Sequence, residues 1–370
     1  MSFQMNAGAV GRFARAMKFG AWLQSIPNRL TPAPFRLVQM GSAYWQSRAL
    51  FVAARLDVAS VLGSGSLPVA DLAERLGADA DALGRLMRFL AAMGVFEETA
   101  PRVFRNNRLS RCLDRQDPQC VRAMILLHNA EPMSRAWFEQ LEAGVRSGTP
   151  PFQLGHGEDL FAYLDRHADF DQLFSEAMDS VEALAGDGFA TDMDWGRFTR
   201  VIDVGGSRGS KALAILRRHP AMTALVVDRP QVVAEAQRYW AGQSAEGVER
   251  LCFEAGDLFE GLPAAAGPQD VYLLSAVLHG FDDAQCVRAL RQVRAAIGGS
   301  GARVAVLEMV LPESGADLAA TSFDMQMFVG CRGRERSLGE WKALFQAGGL
   351  TLDECVRLRS LGSILVLGAG

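Results

Sequence analysis

The chain has 370 residues, 49% of them hydrophobic, which is enough for two domains with well-filled cores. A formal charge of -4 at pH 7 argues against a protein that binds nucleic acid or an anionic membrane in bulk, because such proteins carry a basic excess. No stretch reaches the ~18 apolar residues of a membrane span, and six cysteines without C-x-x-C spacing (Cys112, Cys120, Cys252, Cys286, Cys331, Cys355) read as thiols in a reducing, cytoplasmic compartment. Five scattered histidines with no H-x-x-x-H pair give a metal site no support.

The first 56 residues hold seven arginines and lysines, from Arg12 to Arg55, and no acid. A transit peptide has that composition, but Phe13, Met17, Ala21 and Leu23 fit one face of a helix, which favours burial against a partner subunit. Next, VADLAERLG, ADADALGRLMRFLAAMGVFEE and FRNNRLSRCL predict helix, turn, helix and a short wing, with Leu72, Leu76, Leu83, Leu86, Phe89 and Leu90 supplying the apolar spacing. Such a unit is a candidate DNA reader. Only Arg85 and Arg88 are basic on its second helix, and Asp79, Asp81, Glu97 and Glu98 surround them, so phosphate binding is expected to be weak. Helical periodicity continues to about residue 190. This predicts a helical N-terminal and winged-helix domain over 1–110, a helical segment over 111–190, and an α/β domain over 191–370.

From there, short Val/Ile/Leu runs alternate with helices, as in a parallel sheet with crossovers. The first run ends in VIDVGGSRGS, where Gly205, Gly206 and Gly209 approximate a phosphate- or nucleotide-binding turn that leads into a helix. The run TALVVD ends at Asp228, where an acid can hold a ribose hydroxyl pair, and the run from Leu251 to Ala255 is followed by Gly256 and Asp257. Asp270 to Ser275 forms a fourth run, leading into AVLHGFDD with His279. VAVLEMVLPE carries Glu308, and SFDMQMFVGCRGRERS carries Glu335 beyond a Met-rich helix.

In this order the motifs resemble those of the small-molecule O-methyltransferases that use S-adenosylmethionine, the family of plant caffeate and hydroxyindole enzymes and of bacterial antibiotic-tailoring enzymes. The resemblance runs from about residue 45 to 368. It implies a Rossmann-like α/β methyltransferase domain preceded by a mainly helical winged-helix dimerisation domain, and a homodimer acting on a small molecule. By the same resemblance Asp203, Gly205, Gly206, Gly209, Asp228, Asp257, Leu258, Phe259 and Ser275 would surround the cofactor. His279 would be the catalytic base, flanked by Glu308 and Glu335. Ser207 replaces the third glycine of the loop, Ser275 stands where Lys or Arg is frequent, and Gly280 and Phe281 stand where an acid and a tryptophan are usual.

FSEAM, from Phe174 to Met178, resembles a segment that lines the family's acceptor pocket. Met133, Trp137, Phe161, Phe174, Met178, Met325 and Met327 have the apolar, helically spaced character of ordinary core, and about half are expected to line a flat aromatic acceptor. An alternative is an enzyme of the same fold that binds the cofactor without transferring its methyl, as a decarboxylase, hydroxylase or cyclase. A binding-only protein and a nicotinamide dehydrogenase are further readings.

Overall fold

The computed structural model describes residues 2–315, 317–360 and 362–370, without the side chains of residues 182, 183 and 185. The chain forms two compact units, one of Phe19–Leu184 and one that joins Met1–Lys18 to Ala185–Gly370.

In the Phe19–Leu184 unit, strands β1 (Ser66–Pro68), β2 (Phe96–Ala100) and β3 (Val103–Asn106) form an antiparallel sheet of order β1-β3-β2. The helices Val69–Leu76 and Ala80–Ala92 precede β2. The first ends at Gly77, in the left-handed conformation that favours glycine, and Asp79 caps the second by accepting the N–H groups of Asp81 and Ala82. Their inward stripe of Leu72, Met87 and Leu90 packs with Phe96 and Phe104, all buried. Buried Asn106 donates to the carbonyls of Ala59 and Gly63, both at 2.8 Å, and so ties the sheet to the helix Val58–Leu62. On the second helix Arg85 is already paired with Asp81 at 3.1 Å, which agrees with the weak case for DNA reading.

The other unit is built on a sheet with seven strands in the order β10-β11-β8-β7-β4-β5-β6, plus the short β9 (Arg336–Ser337) beside β8. The strands are β4 (Arg200–Val204), β5 (Thr223–Asp228), β6 (Leu251–Ala255), β7 (Asp270–Ser275), β8 (Arg303–Leu311), β10 (Leu350–Arg357) and β11 (Gly362–Ala369). β4 to β8 run parallel, and β10 and β11 add an antiparallel edge. Successive side chains alternate between two cores: Val201, Val271 and Ala305 face the helix Ser210–Arg218, while Ile202, Tyr272 and Val304 face the helices Asp283–Ile297 and Leu338–Ala347. Helices on both faces explain why these strands read as continuous apolar runs. Because the strands are parallel, β4, β5, β6 and β7 all end on one edge, the edge where ligands bind in open α/β sheets.

The first residues do not belong with the N-terminal domain to which the sequence assigned them. The Phe3 N–H donates to Glu354 at 2.6 Å, the Arg357 N–H donates to the Gln4 side chain at 2.8 Å, and Gln4 forms a bridge with Met193. The Phe3 ring stacks on Phe198 with 6.1 Å between centroids. These long-range bonds have no local sequence signal, and with them the residues up to Lys18 belong to the α/β unit. No described helix is long and apolar enough to cross a membrane.

Candidate active site

The turn after β4 is shaped by what its glycines exclude. A Cβ on Gly205, whose φ is +72°, would lie 2.9 Å from Val277, and one on Gly206 would lie 2.5 Å from the Asp203 carboxylate. Gly209, with φ of +74°, begins the helix Ser210–Arg218, and a Cβ there would press on Val226 and Leu251. Ser207 also adopts a left-handed φ, +52°, at the position where the resemblance expects glycine. Its N–H donates to Asp228 Oδ2 at 2.9 Å, and that bond holds the strained residue in place. Asp228 Oδ1 accepts the N–H of Arg229 at 2.7 Å.

Asp257 is exposed and accepts the Phe259 N–H at 2.7 Å, while Leu258 and Phe259 are half-buried. The Phe259 ring meets Phe281 edge to face at 5.2 Å. At the end of β7, the Ser275 Oγ is buried without a hydrogen-bond partner. Gly280 has open space where a side chain would stand, so nothing steric requires a glycine there.

His279 lies in the short turn Leu278–Gly280 after β7. Its Nδ1 is 2.8 Å from Glu335 Oε1 and 3.8 Å from Glu308 Oε2. Glu308, on β8 and only 3% exposed, accepts the backbone N–H groups of Val277, Leu278 and His279 on Oε1 at 3.0, 2.9 and 3.3 Å. Glu335 is equally buried and donates its N–H to Asp324. The pairing of β9 with β8 is what brings Glu335 beside Glu308. Although it stands between two arginines, Glu335 is not part of a solvated charge run, and Arg336 is fully buried as well.

Burial by itself would lower the His279 pKa, but the carboxylates of Glu308 and Glu335 outweigh it and raise it to about 9. Glu308 is pushed upward by burial. With Nδ1 facing Glu335, the neutral form of the ring is the Nδ1–H tautomer and presents a free Nε2, and its 21% exposure leaves it reachable. One donor atom from each of the three residues lies within 4.8 Å of the others, the type of set a cation can use. Glu308 Oε1 and the His279–Glu335 contact are committed to protein donors, however, which suits an oriented imidazole better.

Among the candidate acceptor residues, Met133, Trp137, Phe161, Phe174 and Met178 belong to the Phe19–Leu184 unit and Met327 to the other. Met133 is buried, Trp137, Phe174, Met178 and Met327 are half-buried, and Phe161 is exposed. Trp137 sits in a π-helical turn, Ala136–Gln140, a feature frequent at functional sites.

Comparison with known proteins gives the family. The O-methyltransferase domain family matches residues 138–351, and the O-methyltransferase dimerisation domain matches residues 38–115. The chain is 33% identical to phenazine O-methyltransferase PhzM of Lysobacter antibioticus, over 89% of this chain and 94% of that protein. It is also 33% identical to 8-amino-8-demethylriboflavin N,N-dimethyltransferase of Streptomyces davaonensis, over 82% and 86%. The solved structure of mitomycin 7-O-methyltransferase MmcR superposes with a TM-score of 0.83 at 30% identity, covering 91% of this chain and 98% of that one. With a parallel sheet edge carrying a glycine cradle, a strand-tip aspartate and an oriented histidine, the chain belongs to the O-methyltransferase family.

Proposed function

We propose that this enzyme, an S-adenosylmethionine-dependent O-methyltransferase of small aromatic secondary metabolites, uses His279 as its general base. The observation that carries this reading is the 2.8 Å contact of His279 Nδ1 with buried Glu335, beside a second buried carboxylate, Glu308. The cofactor supplies an electrophilic methyl on a positively charged sulfur. The residues present fit it: the glycine turn leaves its backbone bare, Asp228 offers a carboxylate at the strand tip, and Ser275 offers an unpartnered buried hydroxyl.

The protein has to provide a nucleophilic oxygen. A phenol of pKa ~10 costs roughly 4 kcal/mol to ionise at pH 7, and Nε2 of His279 offsets that cost by taking the proton during attack. Glu335 fixes the tautomer and stabilises the imidazolium, while Glu308 holds the turn that carries the ring. Met327, in the unit that carries His279, is proposed to contribute apolar lining for a flat ring. The test is incubation with S-adenosylmethionine and a panel of aromatic phenols and anilines. Gain of one methylene unit, with stoichiometric S-adenosylhomocysteine, is the expected result, and conversion without S-adenosylhomocysteine would exclude methyl transfer. Preference for anilines would move the accepting atom from oxygen to nitrogen, as in the name of the riboflavin relative.

Asp228 is proposed to accept the ribose hydroxyls. Asp228→Ala is then expected to weaken S-adenosylmethionine binding by about 1.5–3 kcal/mol, the range for hydrogen bonds to a charged group. Calorimetry reads this directly, and unchanged affinity would remove Asp228 from the ribose.

Within the Phe19–Leu184 unit, Phe19, Leu30, Phe35, Leu37, Val38 and Trp45 are exposed. Apolar surface of that extent is uncommon on monomers, and together with the dimerisation-domain match it supports a homodimer. Light scattering at micromolar concentration is expected to give twice the chain mass, and a monodisperse monomer would overturn the proposal. All six cysteines are unpaired thiols, which supports a cytoplasmic location.

A further inference from the structure

Among the described residues Arg336 is the only basic side chain that is buried, and its partners are concentrated on one short stretch of backbone. Nη1 donates to the carbonyls of Leu278 (3.4 Å) and Arg334 (3.2 Å), and Nη2 donates to the carbonyl of Phe281 (2.9 Å). Nη2 and Nε also donate to Asp283 Oδ1, at 2.8 and 3.1 Å. The guanidinium thus grips the chain on both sides of His279 while being covalently adjacent to Glu335. Its carbon lies 5.1 Å from the centre of the Trp341 ring, and the Trp341 Nε1–H donates to the carbonyl of Met309, next to Glu308.

A second contact closes the same assembly. A Cβ on Gly333 would lie 1.9 Å from the His279 carbonyl, so the G-R-E-R-S segment abuts the His279 turn backbone to backbone. A buried guanidinium is an expensive way to fill a core, because an apolar side chain of similar volume avoids its desolvation. Its planar fork, however, can hold several oxygens in fixed directions, which neither an apolar group nor a lysine does.

We propose that Arg336 is a positioning residue: it locks the His279 turn, Glu335 and the end of β8 into one rigid body and so keeps the imidazole seated on Glu335. This rests on the reading of His279 as the base. Misplacement of a catalytic group by about 1 Å can cost 10²-fold in rate, so a tether at this point acts on turnover and not on ligand affinity.

The test compares Arg336→Met, Arg336→Lys and a destabilised control, Val293→Ala, which removes buried apolar volume without removing any of the polar contacts of Arg336. Turnover, S-adenosylmethionine affinity, thermal midpoint and the downfield proton resonance of the His279 Nδ1–H bonded to Glu335 are measured on the full chain. Arg336→Met is expected to lose that resonance and about 10²-fold in kcat, with cofactor affinity changed less than threefold. Arg336→Lys, which keeps the charge without the fork, is expected to lose about tenfold and to weaken the resonance. Val293→Ala is expected to keep both at an equally lowered thermal midpoint. Should Arg336→Met not fold, Arg336→Lys carries the comparison, and a lysine variant with wild-type resonance and kcat overturns the proposal. Loss of turnover with an intact resonance overturns it as well. The resonance reports the geometry, whereas His279→Ala reports the base, so the two readings fail separately.

Discussion

Replacing His279 with alanine is expected to lower turnover by about 10²–10⁴-fold, the usual contribution of a positioned general base. Cofactor affinity is expected to stay nearly unchanged, because the glycine turn and Asp228 lie on other strands. Glu335→Gln should cost less, since it removes the charge that stabilises the imidazolium but leaves an oxygen to accept from Nδ1. Glu308→Gln should also cost less, since an amide oxygen can still accept the three backbone N–H groups that Glu308 Oε1 now holds. The alanine variant should recover part of its rate at high pH or with acidic phenols, which ionise unaided. Steady-state kinetics across a series of phenols of falling pKa checks this, and an alanine variant that methylates at the wild-type rate near pH 7 would exclude the base.

The second large effect is on pH dependence. The two buried carboxylates hold the His279 pKa at about 9, and the working form of a base is the neutral one. Since kcat/KM follows the free enzyme, it is expected to rise about 10²-fold between pH 7 and a plateau above pH 9. The limb should stay in place when the phenol is exchanged for a more acidic one, and a limb that moves with the phenol would assign it to the substrate. The sign for stability is the opposite. A histidine whose pKa is raised on folding adds stability that is fully present below its unfolded value of ~6.5. That stability disappears as pH rises through about 9. The stability gap between wild type and His279→Gln, read from thermal melts, should accordingly shrink between pH 6 and pH 10.

Much of this architecture is legible in the chain by itself. Apolar runs between glycines, prolines and acids placed β5 and β7 at the residues where they occur, because strands buried on both faces leave no polar alternation to confuse the reading. The glycine turn could be read because the steric demand it meets is local: no other residue type tolerates a Cβ 2.5 Å from Asp203. The order of the motifs also pointed to His279, Glu308 and Glu335, though only as separate positions in a pattern.

Their convergence was decided by tertiary structure. Glu335 lies 56 residues beyond His279, and the pairing of β9 with β8, together with the contacts of Gly333 and Arg336 to the His279 turn, sets the two at 2.8 Å. In sequence Arg334 and Arg336 are indistinguishable flanks of one acid. Packing exposes the first and buries the second, since burial depends on the helices Asp283–Ile297 and Leu338–Ala347 closing over one face of the sheet. The N-terminal residues joined the α/β unit for a similar reason: their partners, Glu354 and Arg357, lie about 350 residues away, and a hydrogen bond across that separation leaves no periodicity in the chain. Local chemistry determined the elements, while contacts between residues distant in sequence decided which side chains share a site, because only the folded chain sets their distance and removes water from between them.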